Sequence, residues 1–363
     1  MSQADSRFMR LALSLAARGL GNVWPNPAVG CVIVNAGRIV GRGWTQPGGR
    51  PHAERRALDQ AGVRARGATA YVTLEPCAHY GKTPPCAEGL IEAGVTRVVS
   101  ALEDPDPRVC GKGHAMLRAA GIEAITGVMG AEARALQAGF LSRVEQGRPW
   151  LALKLGASFD GRIALSNGES QWITGPQARA RVQALRARYD AVLVGGGTAR
   201  ADDPLLTVRA FTPLRAPVRV VASRSLDLPR GRLAGSLDQA PLWLVHGPQA
   251  SEEARSFWSG LGAELIEVGE SAAGLDPVAV MHALAERGLT RVFCEGGGQL
   301  AASLMAAGVV DELIGFTAGV VLGGDARPGI GALGLERLAE APRYTLSDVH
   351  PIGGDVLARW HRS

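Results

Sequence analysis

Four residues in the first half of the chain have the types and spacing of a metal centre. His52 lies two residues before Glu54, and Cys77 and Cys86 follow further along the chain. One imidazole and two thiolates can hold zinc while leaving one tetrahedral position open, as in catalytic zinc sites. Zinc lowers the pKa of a water molecule in that position to about 7, so hydroxide is available at neutral pH. We expect Glu54 to take the proton of this water and to deliver it to a ring nitrogen and a departing amine.

Two other interpretations of this cluster stay open at the level of sequence. The residues can form a closed structural zinc site, or they can be ordinary core residues. A closed site requires a fourth Cys or His, and His79, between the two cysteines, is the candidate. Its position in a loop suits the wall of a substrate pocket better. Cys86 follows two prolines at a predicted helix start, where free N–H groups favour a thiolate.

Two glycine triplets in the second half of the chain follow predicted strands. The triplet at 195–197 lacks the G-x-G-x-x-G spacing of a Rossmann fingerprint, and we expect no helix directly after it. The triplet at 296–298 lies between a predicted strand and a predicted helix. Its backbone N–H groups would face an anion at the positive end of that helix. This second turn is therefore the better candidate for binding the phosphate of a nucleotide.

Alternating strand and helix patterns must position these residues, and the patterns fall into two sets. A helix over 5–18, capped by Asp5, precedes a hairpin over 28–44, and helices and strands then alternate. A helical connector over 131–149 ends this set, and the alternation restarts with the strand WLALKLGAS. Such alternation predicts layered α/β domains with parallel strands. Because 363 residues are too many for one ordinary core, we predict two domains, over 1–147 and 148–363.

Composition restricts the partners and the compartment. A formal net charge of +5 without a dense Lys/Arg run suits small phosphorylated substrates and does not favour nucleic acid. We find neither the apolar core of a signal peptide nor an uncharged apolar stretch of about 18 residues, so we expect no membrane partner. The odd number of cysteines favours a reducing cytoplasm, with Cys31, Cys110 and Cys294 as small buried residues. We also expect a homo-oligomer, either a dimer or a tetramer.

Three stretches of the first half resemble the deaminase domain of bifunctional riboflavin-biosynthesis enzymes: PNPAVGCVIV (25–34), PCAHYGKTPPC (76–86) and DPRVCGKG (106–113). Zinc deaminases in general carry H-x-E followed by P-C-x-x-C, and the longer spacing between the cysteines here is similar to this family. The resemblance implies a cytidine-deaminase-like α/β/α zinc domain in which Asn26 and Lys82 contact the substrate. Thr45 stands where relatives often carry a His, so one substrate contact differs.

Four stretches of the second half resemble the reductase domain of the same family: 153–164, 168–174, 194–209 and 295–303. The resemblance implies a dihydrofolate-reductase-like α/β domain that uses NADPH. The NADPH site would be lined by Gly156, Ala157, Trp172, Thr198, Asp202, Ser223, Gly297, Gly298, Gln299, Leu300, Ala301, Ala302 and Ser303. The substrate would contact Lys154, Ser170, Arg186, Leu206, Arg209 and Glu295. Arg186 and Arg209 can clamp a phosphate, while Lys154, Asp202 and Glu295 would handle protons.

The resemblance implies two successive reactions on small phosphorylated pyrimidines. The zinc domain would hydrolyse the ring amine of a diaminopyrimidinone ribosyl phosphate and release ammonia, and the second domain would reduce the ribosyl group to ribityl with NADPH. One alternative is a deaminase of bases in RNA or DNA, which needs a basic face. The other is a zinc-stabilised nucleotide sensor without enzymatic activity. The modest charge argues against the former, and the full set of catalytic residue types argues against the latter.

Overall fold

The computed structural model describes residues 3–81, 84–271 and 274–363, so Lys82 lies outside the described residues. The chain divides into two compact units, Met1–Gly147 and Arg148–Ser363. Among the described residues, none of the helices combines the length and the apolar character that a membrane crossing requires.

Unit 1 is a five-stranded sheet covered by helices. In the order β2-β1-β3-β4-β5, strand β1 is antiparallel to both neighbours, whereas β3, β4 and β5 are parallel to one another. The strands are β1 (Gly30–Asn35), β2 (Arg38–Trp44), β3 (Thr69–Val72), β4 (Arg97–Ser100) and β5 (Glu123–Ile125). The helices are α1 (Gln3–Ala16), α2 (Ala53–Ala61), α3 (Cys86–Glu92), α4 (Lys112–Ala119) and α5 (Gly130–Gln146).

Alternate side chains of β1 point to two apolar layers, as the twofold period of a strand requires. Cys31 and Ile33 pack in one cluster with buried residues of α2, α3 and α4. Val32 and Val34 pack in a second cluster with residues of α1 and α5. Unit 1 is therefore an α/β/α sandwich, as the sequence predicts.

Two glycines of β2 let helix α2 lie directly on the sheet. A Cβ atom at Gly43 would collide with the backbone carbonyl oxygen of Ala53, and one at Gly41 would collide with that of Ala57. Because only hydrogen fits at these positions, the backbones of β2 and α2 are in van der Waals contact. This contact fixes the first turn of α2, which begins directly after His52.

Asp5 lies inside α1 and does not cap the helix, so this prediction was wrong. Its buried carboxylate accepts hydrogen bonds from the Arg97 guanidinium, at 2.8 Å from Nη1, and from the Tyr71 hydroxyl, at 3.0 Å. A short polar residue near a predicted helix start normally indicates an N-cap. Here the side chain of Asp5 forms an ion pair with Arg97, which is distant in the sequence, and the helix begins two residues earlier, at Gln3.

Unit 2 is built on a nine-stranded sheet in the order β11-β10-β9-β8-β14-β6-β15-β18-β17, in which all neighbours from β11 to β15 are parallel and the last two strands are antiparallel. Its strands are β6 (Trp150–Ser158), β8 (Ala191–Gly195), β9 (Val218–Ala222), β10 (Leu242–His246), β11 (Glu264–Glu267), β14 (Arg291–Cys294), β15 (Glu312–Ala318), β17 (Tyr344–Ile352) and β18 (Asp355–Arg362). Two short pairs lie outside it: β12 (Glu270–Ser271) with β13 (Gly274–Leu275), and β7 (Arg162–Ala164) with β16 (Arg327–Pro328).

The helices of unit 2 follow the strands and cover the sheet. They are α6 (Pro176–Arg186), α7 (Gly196–Asp202), α8 (Glu252–Gly260), α9 (Pro277–Glu286) and α10 (Gly298–Ala306). Helix α7 begins directly after β8, so the prediction that no helix follows the triplet at 195–197 was wrong. Glycine weakens a helix, but Ala199 is fully buried against the sheet, and this tertiary packing outweighs the poor local propensity.

Candidate active sites

The imidazole and the two thiols of the predicted metal centre converge in unit 1. The Nδ1 atom of His52 lies 3.3 Å from Sγ of Cys86 and 3.7 Å from Sγ of Cys77. Tetrahedral zinc with ordinary Zn–N and Zn–S bonds separates such atoms by about 3.6 Å. The donor set and its spacing therefore fit zinc, although the three residues come from three separate parts of the chain.

Each of the three predicted ligands lies at a position that the local structure fixes. His52 is the residue before the first turn of α2, Cys77 lies in the loop after β3, and Cys86 is the first residue of α3. The backbone N–H of Cys86 donates to Sγ of Cys77 at 3.3 Å. Hydrogen bonding from Cys86, opposed by burial and assisted by His52, lowers the pKa of Cys77 to about 4. Cys77 is thus readily available as the thiolate that a zinc ligand must be.

Glu54 lies in the first turn of α2 and is buried beside the three ligands, with 3% of its surface exposed. Burial raises the pKa of Glu54 to about 7, although the neighbouring His52 opposes this rise. A carboxyl group with a pKa near neutrality can both accept and release a proton at neutral pH. The environment of Glu54 is therefore suited to proton transfer.

His79 does not join the three ligands in the described part of the chain. The group of metal-binding side chains whose donor atoms lie within 4.8 Å of one another contains His52, Cys77 and Cys86 and not His79. The geometry of the described residues thus leaves the fourth tetrahedral position to a non-protein ligand, which is the arrangement of a catalytic zinc site.

The predicted substrate contacts of unit 1 differ in what the structure says of them. Asn26 donates from Nδ2 to the carbonyl oxygen of Gly49 at 3.1 Å, and the same atom lies 3.5 Å from Nε2 of His52. Asn26 is therefore beside the metal centre. Thr45 is buried, and its hydroxyl accepts the N–H of Val29 at 3.0 Å, so its side chain serves the fold.

Sequence reasoning missed a second acid close to the ligands. Glu75 is buried two residues before Cys77, and its carboxylate accepts three backbone N–H groups, those of Asp104, Gly111 and His114. The signal was present as a glutamate inside the stretch EPC, but only the tertiary structure shows what it binds.

In unit 2, Arg186 and Glu295 form a buried ion pair. Nε of Arg186 lies 2.6 Å from Oε1 of Glu295, and Nη2 lies 3.0 Å from Oε2. The remaining Nη1 donates to the carbonyl oxygen of Thr207 at 2.8 Å. All three nitrogens of Arg186 thus have protein partners, and Glu295 occupies the side of the guanidinium formed by Nε and Nη2. These contacts do not themselves support the prediction that Arg186 clamps a phosphate.

Lys154 lies within the electrostatic reach of this ion pair. Burial lowers the pKa of Lys154, and the carboxylate of Glu295 partly opposes this effect. Burial alone would raise the pKa of Glu295, but the charge and hydrogen bonds of Arg186 and the charge of Lys154 lower it. Glu295 is therefore a buried carboxylate that stays ionised, next to a lysine that loses its proton more easily than in water. Nζ of Lys154 is also 3.0 Å from the position that a Cβ atom at Gly156 would take, so Gly156 borders the same site.

The two glycine turns meet at the carboxyl end of the parallel strands. The backbone N–H of Gly297, directly before α10, donates to Oγ1 of Thr198 in α7 at 2.9 Å. A Cβ atom at Gly196 would lie 2.9 Å from Oγ of Ser223, which follows β9. These contacts bring together Thr198, Ser223 and the start of α10, three parts of the predicted NADPH site. Two helix N-termini side by side are suited to binding phosphate groups.

The remaining predicted residues of unit 2 differ in their exposure and in the elements that carry them. Trp172 is 65% exposed, and the Arg179 guanidinium lies 4.5 Å from the centroid of its ring. Leu206 is buried and has a left-handed backbone with φ of 56°. Arg209 borders a cavity of about 460 Å³ together with Thr207 and other residues of the same loop. Ala157 lies on β6, Ser170 in the loop before α6, Asp202 at the end of α7, and Gly298, Gln299, Leu300, Ala301, Ala302 and Ser303 in α10.

The three cysteines outside the metal centre are free thiols in different surroundings. Cys31 and Cys294 are buried, as predicted, whereas Cys110 is exposed, so the prediction for Cys110 was wrong. Cys110 lies in the loop before α4, where Sγ is 3.7 Å from Oε1 of Glu103.

Two family models match the chain. The model described as the RibD C-terminal domain matches residues 149–358. The model described as the cytidine and deoxycytidylate deaminase zinc-binding region matches residues 2–102. The two matches therefore fall in different units of the structure.

Similar proteins and solved structures cover nearly the whole chain. The riboflavin biosynthesis protein RibD of Escherichia coli (strain K12) is 45% identical over 97% of this chain and 98% of its own length. The solved structure of Acinetobacter baumannii RibD, form 1, has a TM-score of 0.89 and 39% identity, with 99% of each chain covered. A diaminohydroxyphosphoribosylaminopyrimidine deaminase/5-amino-6-(5-phosphoribosylamino)uracil reductase from Thermotoga maritima has a TM-score of 0.86 and 34% identity, also over 99% of each chain.

Proposed function

The chain belongs to the family of the riboflavin biosynthesis protein RibD, and from this membership we propose which of its residues carry out the two reactions. The chain is a bifunctional enzyme with a zinc-dependent deaminase domain and an NADPH-dependent reductase domain. The fold classes, the two activities and the two cofactors predicted from the sequence are therefore confirmed. We assign the deaminase to 1–147 and the reductase to 148–363, an assignment that the division into two compact units supports.

The deaminase reaction exchanges a ring amine for oxygen. A water oxygen forms a bond to the ring carbon, the C–N bond breaks, and ammonia leaves. His52, Cys77 and Cys86 would hold zinc, which would supply the Lewis acid that activates this water. Glu54 accepts the two protons of this water one after the other and gives the first to the ring nitrogen and the second to the departing amine. Burial raises its pKa to about 7, which suits a group that must accept and release protons. Asn26, beside His52, offers its amide to the base or the ribose.

The reductase reaction opens the ribosyl ring and adds a hydride to ribose C1. NADPH supplies the hydride when it is bound. The opening ring oxygen needs a proton, and Lys154 is the candidate donor because burial lowers its pKa toward the working range. Glu295 stays ionised, and its negative charge favours the protonated form of Lys154. Asp202, at the end of α7, is the third group proposed to handle protons.

The hydrogen bonds of Arg186 support a different role for this residue, whereas the role proposed for Arg209 stays the same. Arg186 serves to hold Glu295 in place through its two hydrogen bonds. Arg209, whose backbone N–H is held by Oε1 of Gln183 at 2.8 Å, remains the proposed partner of the substrate phosphate. Leu206 and Ser170 complete the proposed substrate contacts.

The proposed NADPH site lies at the carboxyl edge of the sheet in unit 2. Its phosphates would be bound by the turn at 296–298 and the first turn of α10, next to Thr198 and Ser223. The remaining residues proposed for this site are Gly156, Ala157, Trp172, Asp202, Gly297, Gly298, Gln299, Leu300, Ala301, Ala302 and Ser303.

The convergence of His52, Cys77 and Cys86 beside the buried Glu54 is the observation that carries the deaminase assignment. The experiment is to purify the full chain, measure its zinc content, and follow ammonia release from the diaminopyrimidinone ribosyl phosphate and NADPH oxidation with the deaminated product. We expect one zinc per chain and both activities. Chelation of zinc should stop ammonia release and leave NADPH oxidation intact. Zinc-free protein that releases ammonia at the full rate would refute the assignment.

We further propose that the enzyme acts in the cytoplasm as a homo-oligomer, a dimer or a tetramer, without a nucleic-acid partner. The described cysteines are all free thiols, which supports a reducing compartment. The formal net charge of +5 is small for a nucleic-acid-binding protein of this length. Light scattering of the purified chain, with and without RNA at physiological salt, tests the oligomeric state and the absence of a nucleic-acid partner. A monomer would contradict the first proposal, and a stable RNA complex would contradict the second.

A further inference from the structure

The carboxylate of Glu75 is enclosed by backbone donors from another part of the deaminase domain. Its Oε2 accepts the N–H of Asp104 at 3.2 Å and that of Gly111 at 2.9 Å. Its Oε1 accepts the N–H of His114 at 3.1 Å, in the first turn of α4. The Glu75 side chain is fully buried. A carboxylate in this position is stabilised by the three N–H groups and by the positive end of the helix.

A second contact presses the same two parts of the chain together. A Cβ atom at Gly113, the second residue of α4, would collide with the carbonyl oxygen of Pro76. The residues on either side of this contact are Glu75, with its three hydrogen bonds, and Cys77, a metal ligand. The loop of 75–77 is thus fixed to 104–114 by hydrogen bonds at one residue and by close packing at the next.

The segment fixed in this way contains the stretch DPRVCGKG, which the two proposed reactions do not use. It lies against the loop of the metal ligands, since its Gly111 donates to Glu75 and its Gly113 packs on the carbonyl oxygen of Pro76. The backbone N–H of Asp106 donates to Oδ1 of Asp104 at 2.9 Å, which keeps this part of the segment in a tight turn. Movement of the segment would therefore move the surroundings of Cys77 as well.

We propose that Glu75 is a positioning residue of the deaminase: its carboxylate ties the backbone of 104–114 to the loop of Cys77 and so holds this thiolate in the geometry that zinc requires. Glu75 does not belong to the group of His52, Cys77 and Cys86, whose donor atoms lie together. The inference rests on the proposed function of the triad of His52, Cys77 and Cys86. Residues that orient metal ligands in this way contribute about 10–100-fold to metal affinity or activity.

A second metal site is the rival explanation for the same residues. Donor atoms of Glu75, Glu103 and His114 lie within 4.8 Å of one another. However, both oxygens of Glu75 accept N–H groups, and those donors would repel a cation. Nε2 of His114 is 2.7 Å from the hydroxyl of Ser100, and Glu103 is exposed. These contacts favour a structural clamp.

The test compares Glu75→Gln and Glu75→Ala with the matched control Glu103→Gln, in the full chain loaded with zinc or with cobalt. Glutamine keeps the size of the side chain but replaces one accepting oxygen with an NH₂ group, which cannot accept an N–H. In both Glu75 variants we expect zinc affinity and the kcat of ammonia release to fall about 10–100-fold. The visible absorption of the cobalt form should also change, which a loss of stability alone would not cause in folded protein. NADPH oxidation and all properties of Glu103→Gln should stay unchanged.

Two results would overturn the proposal. The first is a folded Glu75→Gln protein with wild-type zinc affinity, cobalt spectrum and ammonia release. If Glu75→Ala fails to fold, Glu75→Gln alone decides the question. The second is a wild-type protein that binds two metal ions per chain and a Glu75→Gln protein that binds one, because Glu75 would then be a ligand. Failure of the proposed function looks different, since the wild-type chain itself would then bind no zinc or release no ammonia.

Discussion

Glu295 accepts two parallel hydrogen bonds from the guanidinium of Arg186, at 2.6 Å and 3.0 Å, inside the reductase domain. Both side chains are nearly inaccessible to water. The two charges are far apart in the sequence, and each one satisfies the other in a place where an unpaired charge is costly. The first prediction concerns the removal of one member of this pair.

Arg186→Leu should destabilise the reductase domain by about 3–5 kcal/mol, because it leaves an ionised carboxylate buried without its partner. Reduction should be lost with it, while ammonia release should persist. Urea unfolding followed by tryptophan fluorescence measures the first effect. The control is Arg181→Leu on the same helix, where the side chain is exposed. If both variants lose the same stability, the ion pair is not the cause.

Glu54→Gln should retain zinc and reduce ammonia release by about 10²–10⁴-fold, because glutamine cannot carry the proton from water to the substrate. Metal analysis and an ammonia assay give the two values. Asp59→Asn, an exposed change on the same helix, should behave as wild type. Ammonia release from Glu54→Gln at the normal rate would show that another group moves the proton.

Lys154→Ala and Asp202→Asn should each impair NADPH oxidation and leave ammonia release unchanged, since both residues belong to unit 2. NADPH absorbance and the ammonia assay, run on the same samples, separate the two activities. An equal loss of both activities would contradict two independent sites.

Glu295→Gln should move the pH dependence of reduction. The carboxylate of Glu295 raises the pKa of Lys154, against the larger lowering by burial. Its removal should lower the pKa of Lys154 further, so the loss of activity caused by deprotonation of Lys154 should begin at a lower pH. The measurement is kcat for NADPH oxidation across pH in wild type and variant. If the pH at which activity is lost stays the same in the variant, or rises, Lys154 is not the acid.

Asp160→Asn should change how acid acts on the reductase domain. The hydroxyl of Ser158 and the N–H groups of Leu322 and Gly323 lower the pKa of Asp160 to about 2. Because the pKa is lower in the folded state, the stabilisation is complete above the unfolded-state pKa, near 4, and is lost as the pH falls toward 2. The difference in unfolding free energy between wild type and Asp160→Asn should therefore shrink across this interval. A difference that is the same at pH 6 and pH 2 would contradict this explanation.

The sequence allowed us to predict that His52, Cys77 and Cys86 converge, because short motifs carry them: His52 and Glu54 are two residues apart, and Cys77 and Cys86 flank a single loop. It could not predict the partner of Arg186, because a guanidinium suits a phosphate and a carboxylate equally well, and only the tertiary fold places Glu295 beside it. Asp5 failed for the same reason, since its partner Arg97 lies on a distant strand.

For helix α7 the local composition led to a wrong prediction, namely that no helix follows the triplet at 195–197. Its first residues are glycines, which disfavour a helix, yet burial of Ala199 holds the segment in place. The exposure of Cys110 was equally invisible, because the preference of cysteine for the interior is an average over proteins.

The backbone contact between β2 and α2 sets the position of two residues proposed for deamination, His52 and Glu54. There is room only for a hydrogen atom between Gly43 and the carbonyl oxygen of Ala53. The start of α2, which carries His52 and Glu54, therefore has little freedom to move relative to the sheet. A methyl group added at either glycine would collide with a backbone carbonyl oxygen of α2 and would force this helix, and Glu54 in its first turn, away from the sheet.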